Sequence, residues 1–143
     1  MKISTKGRYG LRILLDLALY AGNGPRQMKE IAQSQQISEK YISRLILNLN
    51  EAGLIISLRG AKGGLKLALP PKEITLLDII EAMEGPVCIV ECVLDKMFCP
   101  KSNDCSACRI WSGLNKKIKK QMQDITLKDL LKSEKNRIAR LSV

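Results

Sequence analysis

Apolar residues recur with a helical period from about Thr5 to Tyr20. Leu11, Ile13, Leu14, Leu15, Leu17, Ala18 and Leu19 make one face, and Lys6, Arg8, Arg12 and Asp16 a polar one. Ser4 or Thr5 supplies an N-cap, and Gly22-Asn23-Gly24-Pro25 stops the helix. Two shorter helical patterns follow. Met28, Ile31 and Ala32 share a face in the first; Tyr41, Ile42, Leu45, Ile46 and Leu49 share one in the second, which Ser38 caps. Ile37 is the apolar residue between them, and Ala32 is small where two helices would cross closely. That is the pattern of a helix-turn-helix. Gln36 stands at the turn position where glycine is common, and Glu39, Lys40, Ser43, Arg44 and Asn48 occupy the outer face of the second helix.

Gly53 offers a left-handed helix end, and residues 54–58 and 65–69 read as two strands around the basic, glycine-rich turn Arg59-Gly60-Ala61-Lys62-Gly63-Gly64. Helix-turn-helix followed by hairpin is a winged helix, with Arg59 and Lys62 on the wing where they meet phosphates or a minor groove. No strand–loop–helix order follows, so the turn does not read as a phosphate cradle. Thr75 and Asp78 form a capping box for a helix from Leu76 to Met83, ended by Gly85-Pro86. Further on, Trp111, Leu114, Ile118, Met122 and Ile125 make a narrow apolar seam along a long helix. Nothing in this half of the chain looks long enough to cover that seam, so a second copy of the helix is expected there, giving a two-fold homodimer. Thr126 opens a last helix in which Leu130, Leu131 and Ile138 pack back, and the tail after Ser133 is expected to fray. The expected fold is mainly α with a small β-wing, divided into a DNA-binding unit (1–72), a short helix with a cysteine loop (73–109), and a dimerisation helix with a C-terminal helix (110–143).

Charge sharpens this picture. The net charge is +10, and residues 1–75 carry 12 Lys and Arg against 5 Asp and Glu. A basic excess in the winged-helix half points to nucleic acid. Aromatic residues are only 3% of the chain, too few for the stacking platforms of single-strand readers, which leaves duplex DNA. Dimeric readers take two half-sites about one helical turn apart, so a pseudo-palindromic operator is expected. The candidate contacts are Arg8, Ser38, Lys40, Tyr41, Ser43, Arg44, Arg59 and Lys62. Lys116, Lys117, Lys119 and Lys120 flank the seam and read as a solvated face. The chain shows no apolar run of membrane-span length and no signal-peptide pattern at its start, so a soluble, cytoplasmic protein is expected.

All five cysteines lie between Cys88 and Cys108, and the chain contains no histidine. The spacing Cys92-x6-Cys99-x5-Cys105-x2-Cys108, with Gly85, Pro86, Pro100, Ser102 and Asn103 breaking any helix, lets four sulfurs converge. Core filler has no reason to cluster so, and a cytosolic compartment disfavours disulfides. Thiolates are soft donors, and a four-sulfur set suits an iron–sulfur cluster or a structural zinc. A thiol enzyme reads poorly, because a nucleophilic cysteine wants a base and no histidine is present. Cys105-x-x-Cys108 leaves only a redox pair.

Thr5-Lys6-Gly7-Arg8-Tyr9, the helix-turn-helix ending near Tyr41, Arg59-Gly60-x-x-Gly63-Gly64 and the cysteine loop running into Trp111 together resemble the IscR-type family of bacterial iron–sulfur regulators, over nearly the whole chain. The resemblance implies a dimeric winged-helix transcription factor, no enzyme, that carries a [2Fe–2S] cluster, senses cluster supply and typically represses cluster-assembly genes; some relatives sense nitric oxide or cysteine status. It places three ligands on Cys92, Cys99 and Cys105, with the first gap one residue longer than in the family pattern. Cys108 stands where the cluster regulator has a histidine, a change that makes a cluster harder to reduce. Cys88 has no counterpart. DNA-reading positions fall on Lys40, Ser43 and Arg59, with Ser43 in place of a glutamate.

Overall fold

Among residues 2–143, which the computed structural model describes, the chain forms seven α-helices and one two-stranded antiparallel sheet. Helix α1 (Thr5–Leu19) starts where Ser4 Oγ accepts the Lys6 N–H at 3.1 Å. Its Gly10 faces Met83 of α4 (Leu76–Glu84), and a Cβ there would come within 2.6 Å of the methionine Cγ. A small residue is therefore required for α1 and α4 to pack this closely.

The helix-turn-helix is α2 (Met28–Gln35) and α3 (Glu39–Glu51). Gln36 holds φ 55° and ψ 46°, the left-handed conformation that glycine adopts without cost. Ile37 is buried at the turn, and Ser38 Oγ accepts the Tyr41 N–H at 3.2 Å. Strands β1 (Ile55–Leu58) and β2 (Gly64–Leu67) pair with Ile55 opposite Leu67 and Leu58 opposite Gly64. The returning strand is shorter than its alternation suggests. Arg26 joins this wing as a third element: its N–H and C=O exchange 2.8 Å bonds with Leu65. A Cβ on Gly64 would stand 2.7 Å from the Arg26 carbonyl, so this approach needs glycine.

One core joins both halves. Ile13, Leu14, Ile31, Ile42, Leu49, Ile74, Ile79 and Leu127 are fully buried, each stabilising the fold by about 1.5–3 kcal/mol. Asp16, which the sequence places on a polar face, is instead 1% exposed within this core. Its carboxylate accepts from Arg26 Nε at 2.8 Å, from Gln35 Nε2 at 3.0 Å and from the Ser34 hydroxyl. Burial pulls the Arg26 guanidinium down in pKa, but the bond and charge of Asp16 outweigh it and hold the group above its ordinary value.

The seam on α6 (Ser106–Asp124) is partly covered within the chain at one end. Ile118 and Met122 pack within the chain, against the small cluster of Leu77, Ile80 and Val87. The short α4 covers them because its apolar residues serve two faces: Ile79 and Met83 enter the main core, while Leu77 and Ile80 meet α6. Lys119, expected in solvent, makes a 2.9 Å ion pair with Glu81 of α4. Trp111 and Leu114 stay exposed. The last helix, α7 (Leu127–Leu141), runs on well past Ser133, so the expected fraying is not observed. Glu134, bonded to Arg137 at 2.6 and 2.8 Å, supports that extension. The starts of α4 and α7 are joined back to back: Leu76 N–H bonds Ile125 O, Leu127 N–H bonds Ile74 O, both at 2.8 Å, and Thr75 bridges Thr126.

Candidate nucleic-acid interface and thiol loop

Helix α3 turns Ile42, Leu45, Ile46 and Leu49 inward and leaves Lys40, Ser43 and Arg44 exposed. Ser43 Oγ donates to the Lys40 carbonyl at 2.8 Å, which leaves its lone pairs facing outward. Arg59 and Lys62 are exposed on the wing turn, whose tight path requires Gly63: a Cβ there would collide with the Leu58 carbonyl. Arg8 is exposed one turn into α1, its Nη2 donating to Thr5 Oγ1 at 3.3 Å. Among the described residues, none of Arg8, Lys40, Arg44, Arg59 and Lys62 is engaged by a carboxylate in an ion pair. They form a set of uncompensated cations on the helix-turn-helix, the wing and the start of α1. Tyr41 differs from the rest of the set. It is half-buried, its ring edge-on to Tyr9 with centroids 5.8 Å apart, and so braces α3 on α1.

The cysteine segment is less loop-like than its composition implies. It contains the single-turn helix α5 (Glu91–Leu94) carrying Cys92, a 3-10 turn Lys96–Phe98 ending at Cys99, and the first turn of α6 carrying Cys108. Cys105 is the N-cap of α6, its sulfur accepting the Cys108 N–H at 3.4 Å. The Cys108 thiol reaches the Cys92 carbonyl at 3.5 Å. Burial, then the neighbouring Cys108 thiol, then the Cys108 and Cys99 charges push the Cys92 thiol above its ordinary value. Cys88 turns away, its thiol donating to Val90 O at 2.7 Å. The four sulfurs of Cys92, Cys99, Cys105 and Cys108 do not close on one point. Among the described residues no three Cys, Asp or Glu side chains are gathered as a metal site. Neutral thiols exert no mutual attraction strong enough to draw a loop together, and here they cap a helix or bond carbonyls instead. All four are half-buried in one short segment, and as soft donors they fit an iron–sulfur cluster or zinc.

Asn115 was not singled out by the sequence and holds this loop in place. It is 7% exposed; its Oδ1 accepts the Ile89 N–H at 3.1 Å and its Nδ2 donates to the Val87 carbonyl at 3.3 Å. The available signal was spacing, seven residues from both Cys108 and Met122 on the inner face of α6. Asn115→Ala is expected to cost about 1–3 kcal/mol by leaving both backbone groups unpaired. Urea denaturation checks this, and an unchanged midpoint would show that water replaces the amide.

A mostly helical chain with a helix-turn-helix, a two-stranded wing and an uncompensated basic surface is a winged-helix DNA-binding protein. The profile of the Rrf2 family, described as iron-dependent transcriptional regulators, matches residues 3–133. The HTH-type transcriptional regulator CymR of Bacillus subtilis is 42% identical over 130 residues, covering 91% of this chain and 89% of that one. The solved structure of CymR, the global cysteine regulator of B. subtilis, superposes with a TM-score of 0.76 at 40% identity over 93% of this chain and 98% of the other. T. potens IscR gives 0.71 at 38% identity over 94% and 88%. The chain belongs to the Rrf2 family: it is a transcriptional regulator that binds DNA, and not an enzyme. Among the described residues no helix is long and apolar enough to cross a membrane.

Proposed function

We propose that this regulator works in the cytoplasm as a homodimer on a pseudo-palindromic operator and carries a [2Fe–2S] cluster on its thiol loop. Cluster occupancy then sets operator affinity, so the protein reports iron–sulfur supply and represses cluster-assembly genes. The observation that carries this reading is the donor set: four half-buried thiols from α5, the following turn and the start of α6 in one segment. Cys92, Cys99, Cys105 and Cys108 would hold the group, which supplies a redox- and supply-sensitive charge to the loop. The likeness to T. potens IscR and the iron-dependent family description support it. Exposed Trp111 and Leu114 on α6 supply the apolar surface for the second copy.

The test is metal and sulfide analysis of protein isolated without oxygen. Equal iron and acid-labile sulfide in a coloured protein are expected; zinc without sulfide would convert the loop into a structural staple. A second reading, regulation of cysteine metabolism, is favoured by the 42% identity to CymR. It would gain if the metal-free protein bound its operator with full affinity and neither iron nor zinc altered it.

DNA contacts follow from the same reading. Arg8, the α3 cap Ser38 and the α3 residues Lys40, Ser43 and Arg44 face the major groove side, Tyr41 positions them, and Arg59 and Lys62 reach a phosphate or the minor groove. Arg59→Ala is expected to lower operator affinity by about 1–3 kcal/mol, roughly fivefold to somewhat over a hundredfold. Fluorescence anisotropy at several salt concentrations measures it, and an unaltered affinity and footprint would remove the wing from recognition.

A further inference from the structure

A cleft of about 480 Å³ lies between α1, the C-terminal end of α2 and α7, away from the thiol loop. Leu15 and Ile138 give it an apolar wall, and Arg12, Glu134 and Arg137 bring charge to it from two helices. The Asp16 carboxylate at its base is buried and takes three donors, Arg26, Ser34 and Gln35, whereas Glu134 is partly exposed and takes one bond on each oxygen. Glu134 is bonded through both oxygens to Arg137, which holds the carboxyl below its ordinary pKa and therefore ionised. Arg12 differs: its guanidinium donates to Gln35 Oε1 at 3.1 Å and to the Gln35 carbonyl at 2.5 Å, both neutral acceptors. Among the described residues no carboxylate pairs with it. A cation held by neutral acceptors gains most from a carboxylate, because ionic hydrogen bonds are roughly twice as strong as neutral ones.

We propose that this cleft is an effector site for a free α-amino acid, whose carboxylate Arg12 holds and whose ammonium Glu134 holds. The apolar wall takes the side chain. The site differs from the thiol loop in place and chemistry, and it stands whether or not that loop carries a cluster.

Arg12 also explains how occupancy reaches the DNA-reading head. The carbonyl it holds belongs to Gln35, the residue before left-handed Gln36 in the helix-turn-helix turn. The same guanidinium stands 5.2 Å over the Tyr9 ring, which meets Tyr41 of α3. A bound carboxylate competes with Gln35 for one guanidinium, so the setting of α2 against α3 changes with occupancy. Coupling of this kind is reciprocal: amino acid and operator must alter each other's affinity by the same factor.

The experiment uses the full chain and each common L-amino acid at millimolar concentration, with acetate and methylammonium as half-ligands. At least one amino acid is expected to raise the melting temperature by a few degrees, as ligand binding to the native state alone requires. The half-ligands are not. The same amino acid should change operator affinity by about fivefold or more, and operator DNA should shift its affinity equally. Glu134→Gln should remove the thermal shift; Arg137→Ala, which frees Glu134 from its partner on the exposed side of α7, should enlarge it. No response to any amino acid, an equal response to acetate, or a shift that survives Glu134→Gln would overturn the assignment.

Discussion

Cys105→Ala is expected to give a folded, colourless protein that retains neither iron nor sulfide after anaerobic isolation. Two separable effects meet at this residue. Its sulfur is a proposed cluster ligand, and it also caps α6 by accepting the Cys108 N–H. Losing the cap costs about 1 kcal/mol, too little to unfold a domain of ordinary stability. Losing a thiolate ligand would remove the proposed cluster outright. Cys105→Ser separates the two, because serine is a strong N-cap and a poor soft-metal ligand. Both variants should lack the chromophore, and only the alanine variant should melt earlier. Full iron and sulfide in either would show that Cys105 is a cap and nothing more. Loss of the proposed dimer in both would make the loop a staple.

Asp16→Ala is expected to destabilise the fold by about 3 kcal/mol. Its carboxylate accepts from three partners and is almost fully shielded from water. Removing one member of a buried pair leaves the other charge uncompensated, typically at 3–5 kcal/mol. The lower end applies because Arg26 keeps two other contacts, Glu30 at 3.6 Å and the Tyr20 ring at 3.8 Å. The damage should spread to the wing, since the Arg26 backbone is paired with Leu65. Urea denaturation gives the energy, and hydrogen exchange at Leu65 gives the spread. A loss below about 1 kcal/mol would mean that water enters and solvates Arg26.

What the sequence made legible was local. Ser4, Ser38, Thr75 and Thr126 mark helix starts correctly because a cap bond reaches only two or three residues along the chain. Ile42, Leu45, Ile46 and Leu49 are buried as their spacing requires. What escaped was any feature whose partner lies far along the chain. Asp16 looks like solvent-facing charge until Arg26, Ser34 and Gln35 fold over it from 10 to 19 residues away. Periodicity identified Ile118 and Met122 as apolar but could not say what they meet. Within the chain both are partly covered by α4, whose apolar residues serve two faces. The thiols followed the same rule: clustering along the sequence was plain, but Cys105 acting as a cap and Cys108 bonding the Cys92 carbonyl are products of the fold.

The paired starts of α4 and α7 have a mechanical consequence. They pin the far end of α6, a helix of 19 residues that is about 28 Å long. With that corner fixed, any tilt of α6 would turn about Ile125 and would load its contacts with α4 at Ile118, Met122 and Glu81. A swing of about 5° there carries the sulfur-bearing tip through roughly 2.5 Å, given the same rise per residue. Such a tilt would press on α4, and through the Gly10–Met83 contact on α1, without any element having to unfold.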